Sequence, residues 1–124
     1  MVAILFREES YKIIGLCMEV HRQLGHGFKE IVYKDALEHE FRVHDIPFIR
    51  EQKYTIIYKD IILPHGYTAD FIVYDSIVFE IKARPVIVSG FVIQTVNYLK
   101  ASGLKLGIIA NFGKPSFESQ RVVF

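Results

Sequence analysis

Two acidic side chains and one lysine lie in consecutive apolar segments of this sequence. Glu80 and Lys82 are two positions apart and alternate with Phe79 and Ile81, and strand geometry points such a pair to one face, about 7 Å apart. Asp70 lies in the preceding apolar segment. Two adjacent carboxylates repel each other unless a cation lies between them, and Mg²⁺ and Mn²⁺ prefer carboxylate oxygen. A lysine beside that cation can orient water or stabilise charge on a phosphate. The three residues therefore predict metal-assisted phosphodiester hydrolysis.

This prediction depends on the turn between the two segments. Directly opposed residues of an antiparallel hairpin share a face. A two-residue turn would point Asp70 away from Glu80, whereas a three-residue turn over residues 74–76 pairs Asp70 with Glu80 and Ile72 with Val78. We therefore predict the three-residue turn, or a β-bulge with the same effect.

Two predicted helices contribute further polar side chains. The helix over residues 28–44 carries Glu30 in its first turn, on an otherwise apolar or aromatic stripe. Glu30 could reach the same metal, or it could be a carboxylate that stabilises the helix N-terminus. The helix over residues 90–102 presents Gln94 and Tyr98 on one face. This pair suits a substrate backbone or a bound water, although plain helix packing is the alternative. The stripe of Glu30 also holds Tyr33, Leu37 and Phe41.

Hydrophobic periodicity and turn signals divide the chain into short helices and strands. The predicted helices cover residues 10–24, 28–44 and 90–102, and the predicted strands cover 53–58, 61–63, 67–73, 77–82, 105–110 and 120–124. Ser10 is the predicted N-cap of the first helix, whose inner stripe includes Met18. This order predicts an α/β sandwich, in which helices flank a mixed central β-sheet. No linker or repeat divides the chain, so we expect a single domain over residues 1–124.

Composition narrows the class of protein. The 124 residues carry 15 Lys and Arg against 14 Asp and Glu, and 51% of them are hydrophobic. A formal net charge of +1 argues against a sequence-blind nucleic-acid coat protein, which would be strongly basic. The single cysteine, Cys17, cannot form an internal disulfide, so we expect a cytoplasmic protein. No apolar run approaches the length that spans a membrane.

Five segments, in order along the chain, resemble motifs of the PD-(D/E)xK nuclease-like superfamily. They are GFKEIVY at 27–33, TAD at 68–70, EIK at 80–82, QTVNYL at 94–99 and GIIANFG at 107–113. The first resembles the signature of the GxxExxY proteins, a group within this superfamily, and the fourth resembles the QxxxY helix of RecB-like nucleases. The sequence departs from the pattern at Ala69, where the superfamily motif has proline before the aspartate. This change does not remove a chemical group from the site, because the proline only shapes the strand.

The resemblance implies a small restriction-endonuclease-like fold with a site that binds Mg²⁺ or Mn²⁺. It implies Asp70 and Glu80 as metal ligands, with Glu30 as their helical acidic partner. Lys82 would be the catalytic lysine. Gln94 and Tyr98 would be supporting residues of the same catalytic site.

We therefore expect a metal-dependent nuclease that hydrolyses nucleic-acid phosphodiester bonds, on DNA in preference to RNA. One alternative is a catalytically silent module on the same fold that binds nucleic acid or protein. Another is a structural homodimer subunit of a larger complex. The chain leaves little length for a DNA-binding clamp, so specificity would require a homodimer or a partner protein.

Overall fold

A computed structural model describes residues 4–124 of the chain, so residues 1–3 of the predicted domain lie outside the described residues. The helices within this range are α1 (Arg7–Leu24), α2 (Glu30–Val43) and α3 (Ser89–Ser102). The strands are β1 (Phe48–Tyr54), β2 (Ile57–Tyr58), β3 (Ile61–Ile62), β4 (Tyr67–Val73), β5 (Ile77–Lys82), β6 (Leu106–Asn111) and β7 (Glu118–Val123). None of the described helices combines the length and the apolar composition needed to cross a membrane.

Five of the strands form one mixed sheet in the order β1-β4-β5-β6-β7. Strands β5 and β6 run parallel and are joined by the crossover helix α3, and the other neighbours are antiparallel. Strands β2 and β3 pair only with each other, as a short ribbon between β1 and β4. The prediction of an α/β fold with a mixed central sheet flanked by helices is confirmed.

Apolar clusters cover both faces of the sheet. Helices α1 and α2 pack against one face, which presents Phe71 and Phe79, and helix α3 packs against the other, which presents Ile72 and Val78. This arrangement explains why β4 and β5 are apolar on both faces, since a strand covered on each side loses the period of two. The predicted α2 stripe is confirmed, because Tyr33, Leu37 and Phe41 are fully buried.

Three details of the sequence prediction are wrong. Helix α1 begins at Arg7, so Ser10 lies inside the helix, where its hydroxyl accepts a hydrogen bond from Arg121 at 2.6 Å. Met18 is exposed, because the buried stripe of α1 runs one position earlier along the helix. The first strand begins at Phe48 and not at residue 53. Its polar stretch from Arg50 lies at the sheet edge, where charged side chains are tolerated.

The turn between β4 and β5 has the predicted length. Ile72 pairs with Val78 and Val73 with Ile77, which leaves residues 74–76 as the turn. Tyr74 and Asp75 both have positive φ, of 55° and 56°. Hairpin turns with two such central residues have a backbone twist that matches the right-handed twist of the strands. The predicted pairing of Ile72 with Val78 is confirmed, but the ladder ends at Phe71 and Phe79, so Asp70 and Glu80 are not a paired position.

Candidate active site

The ladder between β4 and β5 opens at the two carboxylates. Its last paired residues are Phe71 and Phe79. Beyond them the backbone N–H of Ile81 donates to Asp70 Oδ2 at 2.8 Å, and the N–H of Asp70 lies 3.4 Å from Glu80 Oε2. Side-chain oxygens therefore replace backbone partners here, and the strands hold both carboxylates at one point of the sheet.

Glu80 is almost completely buried, at 2% exposure, and its Oε1 has no hydrogen-bond partner among the described residues. Burial raises the pKa of Glu80 to about 10, and the neighbouring charge of Asp70 adds to the effect. A buried acceptor without a partner is costly and rare in folded proteins. The site therefore holds Glu80 in an environment that favours a proton or a cation.

Helix α3 positions the predicted catalytic lysine. Lys82 Nζ donates to Gln94 Oε1 at 2.9 Å and lies 4.7 Å from the centre of the Phe91 ring. Gln94 thus contacts the lysine and does not merely pack. Tyr98 is nearly buried and meets the Tyr67 ring edge to face at 5.2 Å. Burial raises the pKa of Tyr98, and the charges of Glu80 and Asp70 raise it further.

Helix α2 supplies a second lysine that the sequence analysis did not identify. Lys34 is 7% exposed, and its Nζ donates to Asp70 Oδ1 at 3.0 Å and to a carboxylate oxygen of Glu51. Desolvation acts to lower the pKa of Lys34, but the hydrogen bonds and charges of Glu51 and Asp70 outweigh it and hold the pKa above its usual value. The only sequence signal for Lys34 is its position one turn after Glu30.

Glu30 itself begins α2 and is half-buried. No hydrogen bond or ion pair within residues 4–124 joins it to Asp70 or Glu80, and no three His, Cys, Asp or Glu side chains in that range form a group that could hold a metal. Glu30 occupies the first turn, where the helix dipole favours a carboxylate. Hydrogen bonds thus join Asp70 to Glu80 and Lys82 to Gln94, whereas Tyr98 contacts Tyr67 and Glu30 has no described contact to either carboxylate.

Two residues outside this group fix the segments around it. Tyr33 donates its hydroxyl to the carbonyl of Gly25 at 2.7 Å and stacks on Phe112 with ring centres 4.6 Å apart. Asn111 is fully buried and bonds both the N–H and the carbonyl of Arg84, at 2.9 and 2.8 Å. Tyr33 thus orients the loop that leads into α2, and Asn111 anchors the chain just after β5.

The donor set at the two carboxylates fits a hard divalent cation. Asp70 and Glu80 offer carboxylate oxygens at one place, and Glu80 Oε1 is buried without a partner. Magnesium is commonly held by one or two carboxylates, with water and substrate phosphate completing its coordination. Asp70 and Glu80 are therefore the residues that would hold such an ion.

The fold is that of a nuclease-like protein, and the sequence agrees. The chain belongs to the PD-(D/E)XK nuclease superfamily, whose family profile matches residues 7–122. The sheet and its flanking helices correspond to a restriction-endonuclease-like fold.

Comparison with solved structures supports the same fold. The crystal structure of SSO0001 superimposes with a TM-score of 0.62 at 18% sequence identity, over 95% of this chain and 59% of that one. The present chain thus spans only part of that protein's length, and the likeness concerns the fold alone. No curated protein matches the sequence at a significant level.

Proposed function

We propose that this protein is a nuclease that uses Mg²⁺ or Mn²⁺ to hydrolyse nucleic-acid phosphodiester bonds. The observation that carries the proposal is the meeting of Asp70 and Glu80 where the β4–β5 ladder opens, with Lys82 two residues further along β5. The unpartnered oxygen of Glu80 supports a cation at this place. Superfamily membership supports the same chemistry.

Each residue of the site has a role in this proposal. Asp70 and Glu80 hold the cation, which supplies Lewis-acid stabilisation of charge on the phosphate when bound. Lys82 orients the attacking water and stabilises the charge that develops on the phosphate. Gln94 holds the lysine ammonium in place by accepting its hydrogen bond. Tyr98, which is buried against Tyr67, is a supporting residue.

Further parts of the proposal rest on the sequence. The residues Gly27, Glu30 and Tyr33 support placement in the GxxExxY group, with Glu30 assisting at the metal. We propose DNA before RNA as the substrate. Assembly into a homodimer or a larger complex stays a prediction, which light scattering can test. A cytoplasmic location stays a prediction as well.

Cleavage assays test the proposal directly. Single-stranded and double-stranded DNA and RNA are incubated with the protein in Mg²⁺, in Mn²⁺ and in EDTA. We expect metal-dependent cleavage that Lys82→Ala reduces by about 100-fold or more, as loss of a charge-stabilising donor does in other enzymes. Lys105→Ala is the matched control, because Lys105 is an exposed lysine outside the site and its loss should leave the rate unchanged.

Calorimetry with each metal separates the remaining outcomes. Metal binding that Asp70→Asn abolishes supports the ligand assignment. Absence of both cleavage and metal binding contradicts the proposal. Nucleic-acid binding without metal binding or cleavage would favour the catalytically silent module instead.

A further inference from the structure

Lys34 places a positive charge directly on Asp70, one of the two carboxylates that are proposed to bind a metal cation. Its ammonium hydrogen-bonds Asp70 Oδ1 at 3.0 Å, while Asp70 Oδ2 accepts the N–H of Ile81. Both oxygens of the proposed metal ligand therefore have a partner already. A divalent cation that approaches Asp70 must compete with the Lys34 ammonium for Oδ1, because two positive charges on one carboxylate oxygen repel each other.

Glu51 offers Lys34 an alternative partner. It hydrogen-bonds the same ammonium, and its side chain is 51% exposed. Its φ of 60° is left-handed, although its neighbours Arg50 and Gln52 both pair regularly with β4. A non-glycine residue in this conformation within a strand is strained, and such strain concentrates at functional sites. The distortion in β1 presents the Glu51 carboxylate to the lysine.

We propose that Lys34 is a built-in counter-cation of the site, which neutralises Asp70 in the metal-free protein and is retained by Glu51 when a divalent cation takes its place on Asp70. The proposal rests on the metal site of the proposed function. Lys34 is a positioning residue in this account, since it acts through Asp70. It sets the metal affinity of the site, and it stabilises the folded protein when no metal is bound to the acidic pair.

The test is calorimetric titration with MnCl₂ alone, without nucleic acid. Lys34→Met should bind Mn²⁺ about tenfold more tightly or better than the unmodified protein, because a competing charge is gone. Lys34→Arg should restore the weaker binding. Lys12→Met removes an exposed lysine of α1 and should change nothing. Lys82→Met removes a charge from the same site without freeing an Asp70 oxygen, so it should have a smaller effect than Lys34→Met.

A second measurement tests the part played by Glu51. Glu51→Gln should weaken Mn²⁺ binding in the unmodified background, because Lys34 loses its alternative partner. The loss should be smaller in the Lys34→Met background, which a double-mutant cycle detects. An equal or larger loss there would make Glu51 a direct ligand and overturn its proposed role.

Thermal unfolding tests the role of Lys34 without a titration. Lys34→Met should be less stable than the unmodified protein in EDTA, and Mn²⁺ should raise its stability by more.

The outcomes distinguish the two proposals. If the unmodified protein binds Mn²⁺ and Lys34→Met binds it equally or more weakly, the counter-cation is refuted and the metal site stands, since a merely structural lysine would give that result. If only Lys34→Met binds Mn²⁺, the counter-cation is supported. If neither binds, the metal site fails and the counter-cation fails with it. Should Lys34→Met not fold, Lys34→Gln replaces it, with the same expected tightening.

Discussion

The substitution Glu80→Gln should make the metal-free protein more stable, and increasingly so as the pH rises. Burial raises the pKa of Glu80 from 4.5 to about 10, so the folded protein binds this proton more tightly than the unfolded chain does. The contribution of Glu80 to stability is therefore fully present below about pH 4.5 and is lost progressively as the pH rises toward about pH 10. Glutamine has nearly the same shape as glutamate, and its side chain does not ionise in this pH range.

The size of this change in unfolding free energy follows from the pKa shift of Glu80. Each pH unit between the unfolded and the folded pKa changes the free energy of unfolding by about 1.4 kcal/mol for one group. The difference in unfolding free energy between Glu80→Gln and the unmodified protein should therefore grow by about 4 kcal/mol from about pH 5.5 to about pH 8.5. This change is a large fraction of the total stability of a small domain, about 5–15 kcal/mol.

Urea unfolding in EDTA at several pH values measures this difference. The matched control is Ile109→Val, which shortens a buried side chain on β6 at the position paired with Glu80. It should cost about 0.5–1.5 kcal/mol at every pH. Saturating Mn²⁺ should reduce the pH dependence of the unmodified protein, because the cation takes the place of the proton. A difference between Glu80→Gln and the unmodified protein that stays constant with pH would refute the reasoning.

Two further predictions concern the packing that supports the site. A Cβ added at Gly107 would overlap Cγ2 of Thr95, so Gly107→Ala should destabilise the protein by about 1–3 kcal/mol, and adding Thr95→Ser, which removes that methyl, should restore most of the loss. Denaturant unfolding of the two single variants and the double variant checks this, and additive losses would contradict it. Tyr33→Phe should cost about 1–2 kcal/mol by leaving the Gly25 carbonyl without its donor, measured by thermal unfolding. Stability equal to that of the unmodified protein would show that water replaces the hydroxyl.

The site could be predicted from the sequence where neighbours in the chain settle the geometry. Turn length sets the register of a hairpin, so the three-residue turn sufficed to pair Ile72 with Val78 and to bring Asp70 and Glu80 to the same end of the ladder. The spacing of two between Glu80 and Lys82, and of four between Gln94 and Tyr98, likewise follows from the repeat of a strand and of a helix.

The residues that the sequence analysis missed depend on contacts between distant segments. Lys34 and Asp70 are 36 positions apart, and Lys34 and Glu51 are 17 apart. The sequence predicts the start of the strand that carries Glu51 five residues beyond Phe48, because Arg50 and its polar neighbours hide the period of two at the sheet edge. Arg50 bonds Asp35 of α2 at 2.8 Å, a partner that the folded arrangement of α2 against β1 supplies.

The amino-acid sequence by itself determined the class of fold, the acidic hairpin and the lysine at its end, because periodicity and turn length act over a few residues. The tertiary structure alone decided which charges meet there. It buried Glu80 without a partner for one oxygen, and it brought Lys34 of α2 into contact with both Asp70 and Glu51. Desolvation and ion pairing depend on the packing of whole elements, so no pattern within a single segment could reveal them.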